Sequence, residues 1–130
     1  MTMAAAAENR PHLPRQVPID GYENGGFSFG GMLHRGSLLC LPSGLWGWPV
    51  ARAADIDEAA LAPIFAEAGD IGLLLLGVGR DRWIMPDALH EQFHERKISV
   101  EVARTGTAVS TYNILLGEGR RVAAALIAVA

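Results

Sequence analysis

The segment from Asp70 to Ala130 constrains the fold more than any other part of the chain. An apolar run at 71–76 ends on the sequence Gly77-Val78-Gly79-Arg80. A helix pattern at 87–96, an alternating strand pattern at 98–102, a second helix pattern at 108–116 and an apolar run at 122–129 follow. This order predicts an α/β domain in which a right-handed crossover joins parallel strands.

The three strand patterns of this segment also predict where each strand lies in the sheet. The runs at 71–76 and 122–129 are apolar on both faces, as in central strands that helices cover. The run at 98–102 alternates apolar and polar residues, which is typical of a less covered edge strand. We therefore expect helices on both faces of a central mixed β-sheet.

The part of the chain before this segment predicts a β portion added at the N-terminal side. Strand-like runs at 19–29, 32–35, 37–41 and 45–50 alternate with glycine- and proline-containing turns, which is typical of a β meander. Residues 1–16 are rich in alanine and contain two prolines, so we expect a flexible tail there. Residues 17–130 are then expected to form a single three-layer α/β domain.

A helix is expected between this β portion and the run at 71–76. Pro63 fits the first turn of its main part, which should end near Ala68 before Gly69.

The composition narrows the classes of function. The 130 residues carry a formal net charge of −3, which argues against binding to nucleic acid through broad electrostatic attraction. No apolar run approaches the roughly 20 residues of a membrane-spanning helix. Cys40, the single cysteine, lies in the apolar run 38–41 and is expected in a buried strand. We expect a cytoplasmic protein without a metal or other cofactor.

The run His90-Glu91-Gln92-Phe93-His94 matches the zinc-protease pattern H-E-x-x-H. A catalytic zinc needs a third protein ligand, and the positions where one zinc-protease class continues this pattern hold Lys97 and Val100. Chance placement of two histidines on a solvated helix face is the better interpretation.

The loops after the first two strands of the segment form a candidate ligand site. In α/β sheets, ligands bind beyond the carboxyl ends of parallel strands, where glycine allows close approach to the backbone. Arginine and threonine in these loops could contact an anionic group. The candidate ligand-binding residues are Gly77, Gly79, Arg80, Thr105, Tyr112 and Asn113. The alternative is that the glycines only turn the chain, Thr105 only caps a helix and Tyr112 lies in the core.

A candidate partner surface comprises Trp46, Trp48 and Arg82. The two tryptophans alternate along a predicted strand, so both can point to one face. An open face would bind a partner protein, and a covered face would be core.

Several segments resemble a family of unknown function that includes mitochondrial complex I assembly factor 3 and many uncharacterised bacterial proteins. The segments are Gly-Gly-Phe within 19–31, Arg35-Gly36-Ser37-Leu38-Leu39, 46–48, 70–79, 100–102 and, most specifically, Thr111-Tyr112-Asn113-Ile114-Leu115-Leu116 with the run up to 126. The resemblance implies a three-layer α/β domain and a non-enzymatic helper bound to assembly intermediates. Val78, and Val109 with Ser110, depart from residues frequent in the family, which weakens the case for catalysis at these positions.

The expected function is therefore that of a non-enzymatic interaction protein, a helper in respiratory complex I assembly. Its expected partners are proteins, including assembly intermediates of the respiratory complex. The alternative is a binding domain or enzyme for an anionic small molecule, which would use the Gly77–Arg80 and Thr105 loops.

Overall fold

The computed structural model describes residues 11–130 of the chain, which contain seven strands and three α-helices. The strands are β1 (Gly26–Phe29), β2 (Met32–Arg35), β3 (Ser37–Leu41), β4 (Gly44–Trp48), β5 (Leu73–Gly77), β6 (Ser99–Ala103) and β7 (Val122–Leu126). The helices are α1 (Glu58–Phe65), α2 (Asp87–Glu95) and α3 (Thr105–Gly117), with short 3₁₀ turns at Ala53–Asp55 and Ala68–Asp70.

Five of the strands form a central mixed sheet in the order β4-β3-β7-β5-β6. β5 is parallel to both β6 and β7, whereas β3 is antiparallel to β7 and β4. The sequence-based expectation of a mixed α/β sheet is confirmed. β7 lies in the middle of the sheet and β6 at one edge, as their patterns indicate.

The sheet separates two hydrophobic cores, because side chains alternate between its faces along each strand. In β5, Leu74 and Leu76 face one core, whereas Leu75 faces the other. Helices α1 and α2 cover the first face, and α3 covers the second. The domain therefore has the expected three layers.

The N-terminal β portion is divided between the central sheet and a separate hairpin. β3 and β4 belong to the central sheet, but β1 and β2 pair with each other as a two-stranded sheet. Phe27 and Phe29 of β1 are buried in the core on the α3 face. The hairpin therefore adds to the layer formed by α3.

The expected position of Pro63 is wrong. Helix α1 begins at Glu58, because the carboxylate of Asp57 accepts a hydrogen bond of 2.8 Å from the Ala60 N–H and caps the helix. Pro63 therefore lies in the last turn of α1. Its missing N–H removes one helical hydrogen bond there, and α1 ends at Phe65.

Residues 11–16 lie against the sheet, although the expected tail extends to residue 16. His12 N–H donates to Leu45 O at 2.6 Å, and Leu45 N–H donates to Leu13 O at 3.0 Å, which covers the outer edge of β4. Gln16 Nε2 donates to Val122 O at 2.7 Å. The remainder of the expected tail, residues 1–10, lies outside the described residues. Within residues 11–130, no helix combines the length and the apolar character needed to cross a membrane.

Candidate functional site

The loops that follow β5 and β6 lie side by side at the carboxyl edge of the sheet. Gly79 N–H donates to Thr105 Oγ1 at 2.9 Å, and Thr105 N–H donates to Gly79 O at 3.2 Å. The structure therefore brings together Gly77, Gly79, Arg80 and Thr105, as the strand order indicates.

Thr105 does not cap α3, contrary to the capping alternative. Its side chain is fully buried, and Oγ1 donates to Ile127 O at 2.7 Å while it accepts from Gly79 N–H. The residue that precedes α3, Arg104, makes no side-chain capping hydrogen bond. Thr105 thus ties the loop after β5 to the chain after β7, and the amides of Gly79 and Thr105 are already bonded within the protein.

The two glycines of the first loop have separate structural roles. A Cβ at Gly77 would lie 3.0 Å from Thr105 Cα and 3.2 Å from Ala108 Cβ, so glycine allows α3 to pack closely on β5. Gly79 has a φ of +77°, a left-handed conformation that glycine adopts without strain.

An open surface cavity of about 530 Å³, the Tyr22 cavity, lies beside the start of α3. Its hydroxyl groups and two arginines could contact an anionic group. A Cβ at Gly106 would lie 2.6 Å from Tyr22 Oη, so the tyrosine lies directly over the first turn of α3. The lining residues are Tyr22, Gly79, Arg80, Arg104, Gly106, Thr107, Ser110, Thr111 and Val129.

A second open cavity of about 680 Å³, the Trp83 cavity, lies on the other side of Arg104. It combines apolar side chains with two arginines and one aspartate. The lining residues are Val78, Asp81, Arg82, Trp83, Ile84, Val102, Ala103 and Arg104.

Of the six candidate ligand-binding residues, only Gly79 and Arg80 line the Tyr22 cavity, whereas Gly77, Thr105, Tyr112 and Asn113 line neither cavity. Tyr112 is fully buried, and its hydroxyl donates to Val17 O at 3.0 Å. The side chain of Asn113 accepts from Ile19 N–H and donates to Ile19 O, each at 2.8 Å. Both side chains therefore hold the chain before β1 against α3.

The core on this face also contains Cys40, as its apolar neighbours indicate. Burial raises the pKa of Cys40 to about 12, and burial together with Cys40 raises the pKa of Tyr112 above its usual range. Both groups are therefore protonated and lie in the core, so neither has the ionised, accessible form that a nucleophile needs.

The candidate partner surface is corrected at Trp48. Trp46 and Trp48 do point to one face, but that face is the α1 side of the sheet and it is covered. Trp48 is 4% exposed and its Nε1 donates to Ala60 O at 2.9 Å, whereas Trp46 is half-buried and donates to Ser43 Oγ. Arg82 is exposed and lines the Trp83 cavity.

His90 and His94 lie on the exposed side of α2. Among residues 11–130, no group of three histidine, cysteine, aspartate or glutamate side chains could hold a metal ion.

The cavity-lining residues that the sequence did not single out are the exposed Ile84 and the half-buried Trp83 and Tyr22. Ile84 is 91% exposed, the largest value among the large apolar side chains of the described residues. The available signal was the placement of three large apolar residues, Trp83, Ile84 and Met85, between charged residues and a proline, in a loop where polar residues are usual.

The fold is that of a small three-layer α/β domain with two adjoining loops at the carboxyl edge of its sheet. Comparison with known proteins shows the family to which the domain belongs. Residues 19–127 match a family described as "Protein of unknown function (DUF498/DUF598)". The chain belongs to this family, which confirms the resemblance seen in its motifs.

Two relatives and one solved structure illustrate the range of the family. An uncharacterized protein of Rhodobacter capsulatus is 37% identical over 93% of this chain and 92% of its own length. The NADH dehydrogenase [ubiquinone] 1 alpha subcomplex assembly factor 3 of Rattus norvegicus is 31% identical over 88% of this chain, which spans 62% of the rat protein. The crystal structure of a Bartonella henselae protein, named as an outer membrane protein, superposes with a TM-score of 0.87 at 40% identity, covering 92% of this chain and 100% of that one.

Proposed function

We propose that this protein is a non-enzymatic helper in the assembly of respiratory complex I, acting in the cytoplasm. The observation that carries the proposal is the similarity to assembly factor 3, which extends over 84% or more of this chain in seven animal relatives. Because this chain spans only 57–63% of those proteins, the partner is proposed for the shared domain alone.

The surface around the Trp83 cavity supports a role in protein binding. Contiguous apolar surface is typical of protein-binding sites, and here the nearly fully exposed Ile84 lies beside the half-buried Trp83 in an apolar-lined cavity. The buried, protonated state of Cys40 and Tyr112 is consistent with a non-enzymatic role.

Affinity purification from the native host tests this proposal. The tagged protein should recover complex I subunits or assembly intermediates after mild crosslinking. Deletion of its gene should lower the level of complex I and the rate of NADH oxidation, and the wild-type gene should restore both. Unchanged complex I level and NADH oxidation in the deletion strain would contradict the assembly role.

A second candidate function is the binding of an anionic small molecule in the Tyr22 cavity. Arg80 and Arg104 line this cavity together with Thr107 and Thr111, whose hydroxyl groups could donate to an anion. Ser110 also lines it, but its hydroxyl donates to Gly106 O at 3.1 Å. A thermal-shift screen of nucleotides and phosphorylated metabolites should then give a hit that Arg80→Ala abolishes and Arg120→Ala, at an exposed arginine outside the cavity, retains. A screen without a hit would remove this candidate.

A further inference from the structure

The outer edge of β6 carries backbone groups that are free for another strand. Ser99 N–H donates to Gly72 O at 3.0 Å and Ala103 O accepts from Val78 N–H at 2.9 Å, so both residues direct these groups toward β5. Because backbone groups alternate in direction along a strand, those of Val100 and Val102 point away from β5. Among residues 11–130, no backbone or side-chain group bonds to them.

The Trp83 cavity lies at the end of this free edge, since Val102 and Ala103 line it. The loop that presents Ile84 is anchored by the residues on both sides of it. Met85, the next residue, is 3% exposed in the core, and Trp83 packs against the same core. The exposed position of Ile84 is therefore set by packed neighbours on both sides. The cavity thus places this exposed apolar side chain beside the last residues of β6.

The charges around the edge favour an acidic segment over a basic one. Arg82 and Arg104 line the Trp83 cavity with a single acidic residue, Asp81. Lys97 is exposed two positions before β6 begins. An added strand would thus meet basic side chains near both ends of β6, with Glu101 between them.

We propose that β6 and the Trp83 cavity bind an extended acidic segment of a partner protein by strand addition. Backbone hydrogen bonds to Val100 and Val102 supply affinity, while an apolar side chain packs on Ile84 and a carboxylate contacts Arg82 or Arg104. This inference rests on the proposed function as an interaction protein and adds the place and the chemistry of the contact.

The test uses a synthetic ten-residue peptide of alternating valine and glutamate as the probe, with lysine replacing glutamate in the control peptide. Titration into ¹⁵N-labelled protein should shift the amide signals of Val100 and Val102. The lysine peptide should bind at least about tenfold more weakly, because it meets the two arginines. Shifts confined to other regions, or equal binding of both peptides, would overturn the proposal.

Single substitutions distinguish strand addition at β6 from non-specific peptide binding. Val102→Pro removes an outward N–H but no hydrogen bond to β5, and proline is tolerated on edge strands, so the fold should persist while binding falls about tenfold or more. Arg104→Glu changes an exposed residue that follows β6, so it should weaken binding of the glutamate peptide while leaving the structure of β6 unchanged. Ile84→Ala should weaken binding, whereas Ile114→Ala, at the 62% exposed isoleucine of α3, should not.

Three results distinguish failure of this inference from failure of the proposed function. Equal capture of assembly intermediates by wild type and by folded Val102→Pro would overturn strand addition and leave the assembly role intact. If the purified protein binds the peptide at β6 but deletion of its gene leaves complex I unaffected, the binding site would be supported and the assembly role contradicted. A dimer that forms with rising concentration and that Val102→Pro abolishes would assign the edge to a second copy and overturn the partner segment.

Discussion

The two edges of the central sheet contrast sharply, because one is covered by the chain itself and the other is open. Outside β4, the segment 12–13 exchanges two backbone hydrogen bonds with Leu45. Outside β6, the outward backbone groups of Val100 and Val102 have no partner among the described residues. An open strand edge can pair with another chain, so this difference between the two edges is the basis of the binding site that we propose at β6.

Apart from truncation of a core side chain, the largest expected effect on stability concerns Thr105, which holds together the loops beside the open edge. Thr105→Val should lower the free energy of unfolding by about 2–4 kcal/mol, because it leaves the buried Gly79 N–H and Ile127 O without a partner. Urea unfolding measures the change. The control Thr107→Val, at an exposed position of the same helix, should change stability by less than about 0.5 kcal/mol. Equal effects of both variants would contradict the role given to the Thr105 hydroxyl.

The next effect concerns the covered edge. Gly44 has a φ of +143°, and a Cβ there would collide with Leu13 O. Gly44→Ala should therefore cost about 1–3 kcal/mol of stability and release residues 11–13 from β4. Gly69→Ala, where a Cβ meets no atom within 4 Å, is the matched control. Limited proteolysis near residue 13 should accelerate only in Gly44→Ala, and unchanged cleavage would show that the segment is not held there.

A smaller effect on stability is expected when the pH changes, because His12 lies beside the covered edge of β4. Burial lowers the pKa of His12, and His34, whose ring centroid is 4.5 Å away, lowers it further. The unfolded chain, with a histidine pKa near 6.5, then binds the proton first as the solution is acidified. Stability should therefore be full above about pH 6.5 and decline as the pH falls through that value.

Urea midpoints at pH 7.5 and 5.5 measure this dependence, and His12→Gln should reduce it. Because the burial of His12 is only partial and most of its side chain is exposed, the change should be small, and protease release of residues 11–13 is the more sensitive readout. A midpoint that rises on acidification would contradict the assigned direction.

The smallest effect on stability is expected at the open edge. Ile84→Ala should change the free energy of unfolding by less than about 0.5 kcal/mol, because the side chain is 91% exposed. Met85→Ala, at the adjacent buried residue, should cost about 2–5 kcal/mol. Thermal melts of the two variants would sharpen the distinction between a residue kept for binding and one kept for packing. A large loss in Ile84→Ala would mean that Ile84 is part of the core.

The sheet could be predicted from the sequence because hydrophobic pattern and burial agree along it. The two-sided apolar run at 122–129 predicts a central strand, and Val122–Leu126 is buried at every position. The alternating run at 98–102 predicts an edge strand, and β6 is one. These patterns depend only on which face of each strand is covered, and the order of apolar and polar residues along the strand reflects this directly.

The details of the candidate site could be predicted only in part, because they depend on contacts between distant segments. The placement of Gly79 beside Thr105 follows from strand order, but the hydroxyl bond to Ile127 depends on where β7 ends. Tyr112 and Asn113 are held by residues 17–19, some 95 positions earlier in the chain. The exposure of Ile84 depends on the burial of Met85, which no periodic pattern indicates.

Amide hydrogen exchange of the free protein tests the contrast between the edges most directly. We expect strong protection of the Leu45 amide, which is bonded to Leu13, and fast exchange at Val100 and Val102 between protected neighbours. Slow exchange at Val100 and Val102, comparable with Leu45, would show that the β6 edge is already covered and would contradict its role as the open binding edge.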